Sequence, residues 1–183
     1  MNIKRVFYLI GTDIKKYADV NGLAPNFFKK ISILLTPCVF CVAIHRISSY
    51  FFLNKHYTLA RFFWSLNILL FSADIVMSSE VGESFYMPHP IGIAFMAKVG
   101  NNVIFYAQIG IAARKARDIG AGIALSIIGD NVVMGAFSKI VGPVRIGNNV
   151  TIAPGSIVYK DLPDNVTVYG IPAKILNTRR VKH

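Results

Sequence analysis

Acidic residues and cysteines are both scarce in this 183-residue chain, and each shortage removes a class of function. Only two cysteines occur, Cys38 and Cys41, and with His45 they form a CxxCxxxH pattern that invites a zinc reading. A structural zinc site needs four ligands, with a second pair elsewhere, and no further cysteine exists to supply it. The expectation is therefore no metal, with both thiols on one helical face as small hydrophobes. Long apolar runs are missing too. In residues 1–72 the longest such run, "ISILLTPCVFCVAI" from Ile31 to Ile44, has 14 residues and is broken by Pro37. That is short of the roughly 20 residues that cross a bilayer. The early stretch "VFYLIG" is too short for the apolar part of a cleavable signal, so a cytoplasmic location is expected. With 54% hydrophobic residues the chain is far too apolar to stay disordered.

Nine acids stand against 20 Lys and Arg, a formal charge of +11, which implies an anionic partner: a phosphate-bearing cofactor, a membrane surface or nucleic acid. The imbalance is concentrated early. Residues 1–72 hold nine Lys or Arg and two Asp, whereas residues 73–183 hold eleven against seven acids. Residues 1–72 are also rich in aromatics, with Lys29, Lys30, Arg46, Lys55 and Arg61 set among apolar stretches. The pattern predicts amphipathic helices that pack on a neighbouring domain, lie peripherally on an anionic membrane face, or do both. Nucleic acid is not expected, because no recognisable binding module carries these charges.

Beyond residue 73 the organising feature is a period of six. Large apolar residues recur at Ile75, Val81, Met87, Ile93, Val99, Phe105 and Ile111, then at Ile128, Met134, Ile140, Ile146, Ile152 and Val158. Neither an isolated helix nor a hairpin sheet has this period. Hexapeptide repeats do: a short strand and a turn make one unit, and three units close one triangular coil of a parallel β-helix. Gly82, Gly100, Gly129, Gly135 and Gly147 each follow a register residue, and "VGNNV", "IGDNV" and "IGNNV" repeat one corner-forming text. The register residues should point inward and stack 18 apart, filling the prism with aliphatic side chains.

The register slips between Ile111 and Ile128. The intervening "AARKARDIGAGIALSI", residues 112–127, should protrude as a loop. Loops on rigid scaffolds are where function concentrates. The fold class is thus mainly β, an N-terminal helical segment (1–72) followed by a β-helix (73–176) and a basic tail (177–183).

Two stretches carry a family resemblance. "ADIVMSSEVGESFYMPHPIGI" (73–93) and "IGNNVTIAPGSIVYKDLPDNVTVYGIPAKIL" (146–176) resemble the serine acetyltransferase branch of the hexapeptide acyltransferases, especially variants associated with exopolysaccharide production. The resemblance implies a left-handed β-helix, a homotrimer with the cofactor groove between adjacent prisms, and acetyl-CoA as acyl donor. It gives His89 the position of the general base and Asp74 that of its carboxylate partner. An acceptor hydroxyl is a poor nucleophile at neutral pH, and an imidazole within reach can take its proton during attack on a thioester. A carboxylate on the other ring nitrogen would orient the imidazole and stabilise its protonated form. Pro88 and Pro90 would stiffen the backbone on either side. In an 18-residue coil, Asp74 should stack on residue 92, near His89 around a corner. The resemblance also implies a backbone oxyanion donor at Ala113 and a pantetheine path beside Ala136 and Ala153. Lys174 would serve the cofactor phosphates.

The chain departs from the family's pattern at two positions. Leu125 stands where a second active-site histidine is expected, and Pro88 stands where serine-acetylating members carry Asp. A free amino acid brings two charges that need partners. These departures therefore point to O-acetylation of a sugar hydroxyl of an exopolysaccharide or its precursor. Arg114, Lys115 and Arg117 of the loop would then receive an acidic or phosphorylated acceptor. Serine O-acetylation is the alternative, and a non-catalytic β-helix scaffold at the membrane is the rival from another class.

Overall fold

The computed structural model describes residues 1–112, 114–115 and 123–176. Four helices come first: α1 (Ile3–Val20), α2 (Phe27–Leu34), α3 (Pro37–Leu53) and α4 (Tyr57–Phe71). Their starts follow from local chemistry. The Asn2 side chain accepts a hydrogen bond from the Arg5 N–H at 2.8 Å, and Asn26 does the same for Lys29 at 3.0 Å. Thr36 precedes α3, with Pro37 at its first position. Ser72, in the left-handed region at φ 52°, ends α4 and turns the chain into the first strand.

From Asp74 the chain winds as a parallel β-helix with three faces. Face A holds Asp74–Ile75, Ala94–Phe95, Gly110–Ala112, Lys139–Val141 and Ile157–Val158. Face B holds Glu80–Val81, Ala97–Val99, Ser126–Ile128 and Arg145–Ile146. Face C holds Ile104–Phe105, Val133–Met134, Thr151–Ile152 and Thr167–Tyr169, closed by Lys174–Ile175 running antiparallel. The described part of the expected loop is a small antiparallel hairpin, Arg114–Lys115 against Ile123–Ala124. The strands on either side reach Ala112 and resume at Ser126, so the excursion is shorter than 112–127.

The corner between faces B and C explains the repeated Gly-Asx-Asn text. Asn102, Asn131, Asn149 and Asn165 all sit at φ 56–60°, the left-handed region that asparagine tolerates. Their side-chain amides form a ladder, each donating to the next coil's Asn at 2.7, 3.0 and 2.9 Å. The residue before each Asn makes a second ladder. The side-chain oxygens of Asn101, Asp130, Asn148 and Asp164 accept backbone N–H groups of Glu83, Asn101, Asp130 and Asn148 at 2.6–2.9 Å. The preceding glycine leaves the space this needs. A Cβ on Gly147 would lie 2.3 Å from Asp164 Oδ1 and 2.6 Å from Asp164 N.

Inside the prism the register residues are buried, Val81 only partly, with one correction to the expected stacking. Ile75 pairs with Phe95, and Asp74 with Ala94, instead of with residues 93 and 92. Successive coils align at the C-to-A corner through Gln108 N to Ile91 O, Phe137 N to Ala107 O and Gly155 N to Ala136 O. Phe105 and Ala107 are two positions apart, whereas the matching Met87 and Ile91 are four apart. Two extra residues therefore sit in Pro88–Pro90, and the short passage from Phe95 to Val99 takes them back. The interior is also not wholly aliphatic. Phe85, Phe95 and Phe105 meet edge to face with centroids 5.1–6.2 Å apart.

The helices close the prism's open end. Cys41 and Val42 of α3 join one buried cluster with Ala73, Ile75, Phe85 and Met87. Burial pushes the Cys41 thiol up to about 12, so it packs as a hydrophobe. Among the described residues, no three His, Cys, Asp or Glu side chains group closely enough to hold a metal ion. Arg46 ties the helices to the first coil. Its guanidinium pairs with Asp13 of α1 through two 3.1 Å contacts and donates to the backbone oxygens of Val81 and Gly82. Asp13 Oδ1 also accepts the Phe85 N–H at 3.0 Å. Burial pushes the Asp13 carboxyl up, against the pull of Arg46, so the pair persists on its many hydrogen bonds.

Two predictions follow from this packing. Gly147→Ala should destabilise the protein by about 1–3 kcal/mol, since backbone of the next coil must move. Gly11→Ala, on α1 with open space around it, should stabilise by about 0.5–1 kcal/mol. Urea melts of both variants check this, and equal effects would show that coil spacing is not what glycine protects. The second concerns His45, which burial, then the Arg46 charge, hold neutral down to about 3. In the unfolded chain it takes its proton near 6.5. Its stabilising contribution is therefore complete above about pH 6.5 and is lost as pH falls toward 3, by up to about 1.4 kcal/mol per pH unit. Comparative melts from pH 7 to 4 should show a shallower acid loss for His45→Gln than for the unaltered chain.

Candidate active site

His89 lies on the bulge made by the two extra residues. Proline on each side denies a backbone N–H at both flanks, so the segment cannot rejoin the ladder; Pro88 is half-buried, Pro90 buried, and His89 alone of the three is exposed. The imidazole is exposed, as a group that meets a diffusing substrate must be. The rest of the coil returns to register at Ile91 and Gly92, the latter at φ 67°.

Asp74 opens the first strand of face A beside this corner. Its backbone N–H donates to Ile93 O at 2.8 Å, and the Gly92 N–H donates to Ser72 O at 3.2 Å. The half-buried carboxylate takes a 2.8 Å hydrogen bond at Oδ1 from the indole Nε1 of Trp64, on α4. Among the described residues no hydrogen bond or ion pair joins Asp74 to His89. Sequence reasoning missed Trp64. It is the only tryptophan in the chain, but nothing in its spacing announces a contact ten residues away across a helix end.

The same corner holds other expected residues. Ala136 follows the face C strand Val133–Met134, and Ala153 follows Thr151–Ile152, so the two lie on successive coils below the His89 bulge. Both are half-buried and small, and the coils pack closely there: a Cβ on Gly135 would lie 2.5 Å from Pro154 N. Four coils separate His89 from Ala153 inclusively, a drop of about 14 Å at the usual strand spacing. Lys174 is exposed in the closing antiparallel strand, past the turn at Gly170–Pro172 that hydrogen-bonds to Ile157. His89, Ala136, Ala153 and Lys174 thus line one edge of the prism. An edge that carries small residues on two coils and ends in a lysine, with Ile91, Tyr106 and Phe137 exposed along it, suits a long, narrow ligand with phosphates at one end.

The remaining expected residues belong to the other side of face A. Arg114 and Lys115 lie on the hairpin, which leaves the prism between faces A and B. Ala113 and Arg117 lie outside the described residues, as does the 177–183 tail. Leu125, half-buried, is the last residue before face B resumes.

Comparison with known proteins agrees with this architecture. The bacterial transferase hexapeptide family (six repeats) matches residues 126–160. The serine acetyltransferase of Buchnera aphidicola (subsp. Schizaphis graminum) is 32% identical over 151 residues, which is 78% of this chain and 56% of that protein. The chain therefore spans little more than half of that relative. Two solved structures superpose on nearly all of it. Neisseria gonorrhoeae serine acetyltransferase in complex with serine is 28% identical, with a TM-score of 0.80 over 95% of this chain and 70% of that one. Brucella abortus serine acetyltransferase in complex with coenzyme A is 25% identical, with a TM-score of 0.80 over 95% and 68%. These matches correct the acceptor expected from Pro88 and Leu125. That expectation was a sugar hydroxyl of an exopolysaccharide or its precursor, whereas the similar proteins are serine acetyltransferases. In repeat, fold and sequence the chain is similar to the serine acetyltransferases, and its hexapeptide-repeat coil is a left-handed parallel β-helix.

Proposed function

We propose that the chain is an acetyl-CoA-dependent O-acetyltransferase whose acceptor is the hydroxyl of serine. The observation that carries this reading is the edge itself: an exposed histidine between two prolines, standing at the head of an edge with Ala136, Ala153 and Lys174 on the coils below. The likeness to a serine-bound and a coenzyme A-bound serine acetyltransferase supports the two ligands.

In this reading His89 accepts the serine hydroxyl proton as the oxygen attacks the thioester carbonyl. The imidazolium then returns the proton to the departing thiolate, leaving O-acetylserine and free coenzyme A with no acyl-enzyme. Asp74 stabilises the imidazolium electrostatically, and Trp64 holds that carboxylate in place. Ala136 and Ala153 border the pantetheine, and Lys174 meets the phosphates. The hairpin leaves the other side of face A, so the roles assigned there, the oxyanion for Ala113 and the serine carboxylate for Arg114, Lys115 and Arg117, would be supplied to this His89 by a neighbouring prism of the trimer. A homotrimer fits the exposed apolar stripe of Ile91, Tyr106 and Phe137 along the same edge, which a neighbouring prism would cover. No described helix is long and apolar enough to cross a membrane, although α2 and α3, bent by 79°, pass such a test as a pair. We assign the enzyme to the cytoplasm, the compartment expected from the sequence.

Coenzyme A release from acetyl-CoA with L-serine tests the proposal. His89→Ala should lower kcat by about 10² to 10⁴ fold while leaving coenzyme A binding intact. Trp64→Phe keeps the ring and removes only the N–H, so it should cost about tenfold in kcat with little change in KM and shift the acid limb of the pH–rate profile. Undiminished turnover in folded His89→Ala protein would overturn the assignment. Absence of transfer to serine by the unaltered enzyme would overturn the acceptor.

A further inference from the structure

The described strands of face A carry only two charged residues, Asp74 at the head and Lys139 on the fourth strand. Lys139 pairs with Gly110 of the coil above, and its side chain folds upward onto that glycine. A Cβ at Gly110 would lie 2.8 Å from Lys139 Cδ, so glycine is what lets the lysine stem lie flat against the face. The ammonium ends at the C-to-A corner, where Nζ donates to Gln108 O at 2.6 Å. The Gln108 N–H in turn donates to Ile91 O, two residues past His89. Lys139 Nζ is thereby held one coil, about 5 Å, below the foot of the His89 bulge.

That half-buried ammonium lacks a counter-charge. The ion pairs among the described residues are Arg5–Glu83, Arg46–Asp13 and Lys98–Glu80, and none includes it. A lysine offers three N–H donors, of which Gln108 takes one. Beside it face A is hollow: about 280 Å³ opens over Ala94, Gly110 and Ala112, bordered by Val141 and the Lys139 stem. Asp74, the face's other charge, lies two strands above Gly110, about 10 Å away. A cation fixed over a glycine, with donors to spare, beside a hollow at the foot of the bulge that carries the base, fits an anionic group on the molecule the base deprotonates. Arg114 and Lys115 leave the prism at the opposite corner, whereas Lys139 is brought here by its own chain.

We propose that Lys139 is a specificity-determining residue, its ammonium receiving the carboxylate of the acceptor whose hydroxyl His89 deprotonates. This rests on the serine reading above and deepens it. The test is acetyl transfer to L-serine and to L-serinamide, which keeps the hydroxyl and lacks the carboxylate. The unaltered enzyme should favour L-serine by about 10 to 100 fold in kcat/KM, as expected for one hydrogen bond to a charged group. Lys139→Met keeps the stem and removes the charge, so it should abolish that preference by raising KM for L-serine, with KM for acetyl-CoA little changed. Gly110→Ala should also erode the preference, because the added methyl lifts the stem off the face while the lysine remains. If both variants kept the preference, this inference would be overturned and the serine reading would stand. Equal use of the two acceptors by the unaltered enzyme would overturn it too, as would a preference lost in Arg114→Gln with Lys115→Gln but kept in Lys139→Met. An unaltered enzyme that acetylates neither acceptor would overturn the serine reading and this inference with it.

Discussion

Everything else in this molecule is hung on the contact distance between one coil and the next at the B-to-C corner. Glycine lets the coils approach, the following Asx side chain caps the backbone N–H of the coil before it, and the next Asn takes the left-handed turn and joins an amide ladder. Each coil is thereby locked to its neighbour by three cooperating features of a three-residue text. Once that corner is fixed, the strands on all three faces must pair in register, and the inward residues must stack.

A rigid register makes its violation at the first C-to-A corner informative. Two residues too many between Met87 and Ile91 cannot be absorbed by a stack of paired strands, so they leave it, and the residue they expose is His89. The two prolines keep the bulge from collapsing back into the ladder. The edge below carries Ala136 and Ala153 on lower coils, so the same register that expels the histidine lines those residues up beneath it. Asp74 owes its position to a different device. It starts the first strand, where no earlier coil exists to pair with, and α4 supplies Trp64 in place of that missing neighbour.

The helical segment solves the end problem of a solenoid. An uncapped prism would expose Ile75, Phe85 and Met87 to water. Cys41 and Val42 cover them, and the Arg46–Asp13 pair satisfies the backbone oxygens of Val81 and Gly82 and the N–H of Phe85. Lys16 of α1 completes the amide ladder, donating to Asn102 at 2.6 Å. The helices therefore finish the hydrogen bonding of the first coil as well as its core.

The sequence by itself determined the coil, because a period of six with glycine and asparagine at fixed offsets has one solution in backbone geometry. His89 drew attention between its two prolines, but its assignment as general base came from the family resemblance, because a histidine in an apolar stretch is by itself more often structural. The sequence could not place Asp74 correctly. Counting by 18 put residue 92 above it, and only the pairing of whole strands shows that the bulge shifts the partner to Ala94. Nor could it find Trp64, whose contact depends on how a helix end meets a strand. The acceptor was misread for a related reason. Pro88 and Leu125 record which side chains are absent from two positions, whereas what a pocket binds depends on every group the fold brings to it, including those of the hairpin. Local chemistry along a chain sets repeat, turn and helix start. The distances between segments far apart in sequence are set only when the coils, the bulge and the helical cap pack against one another.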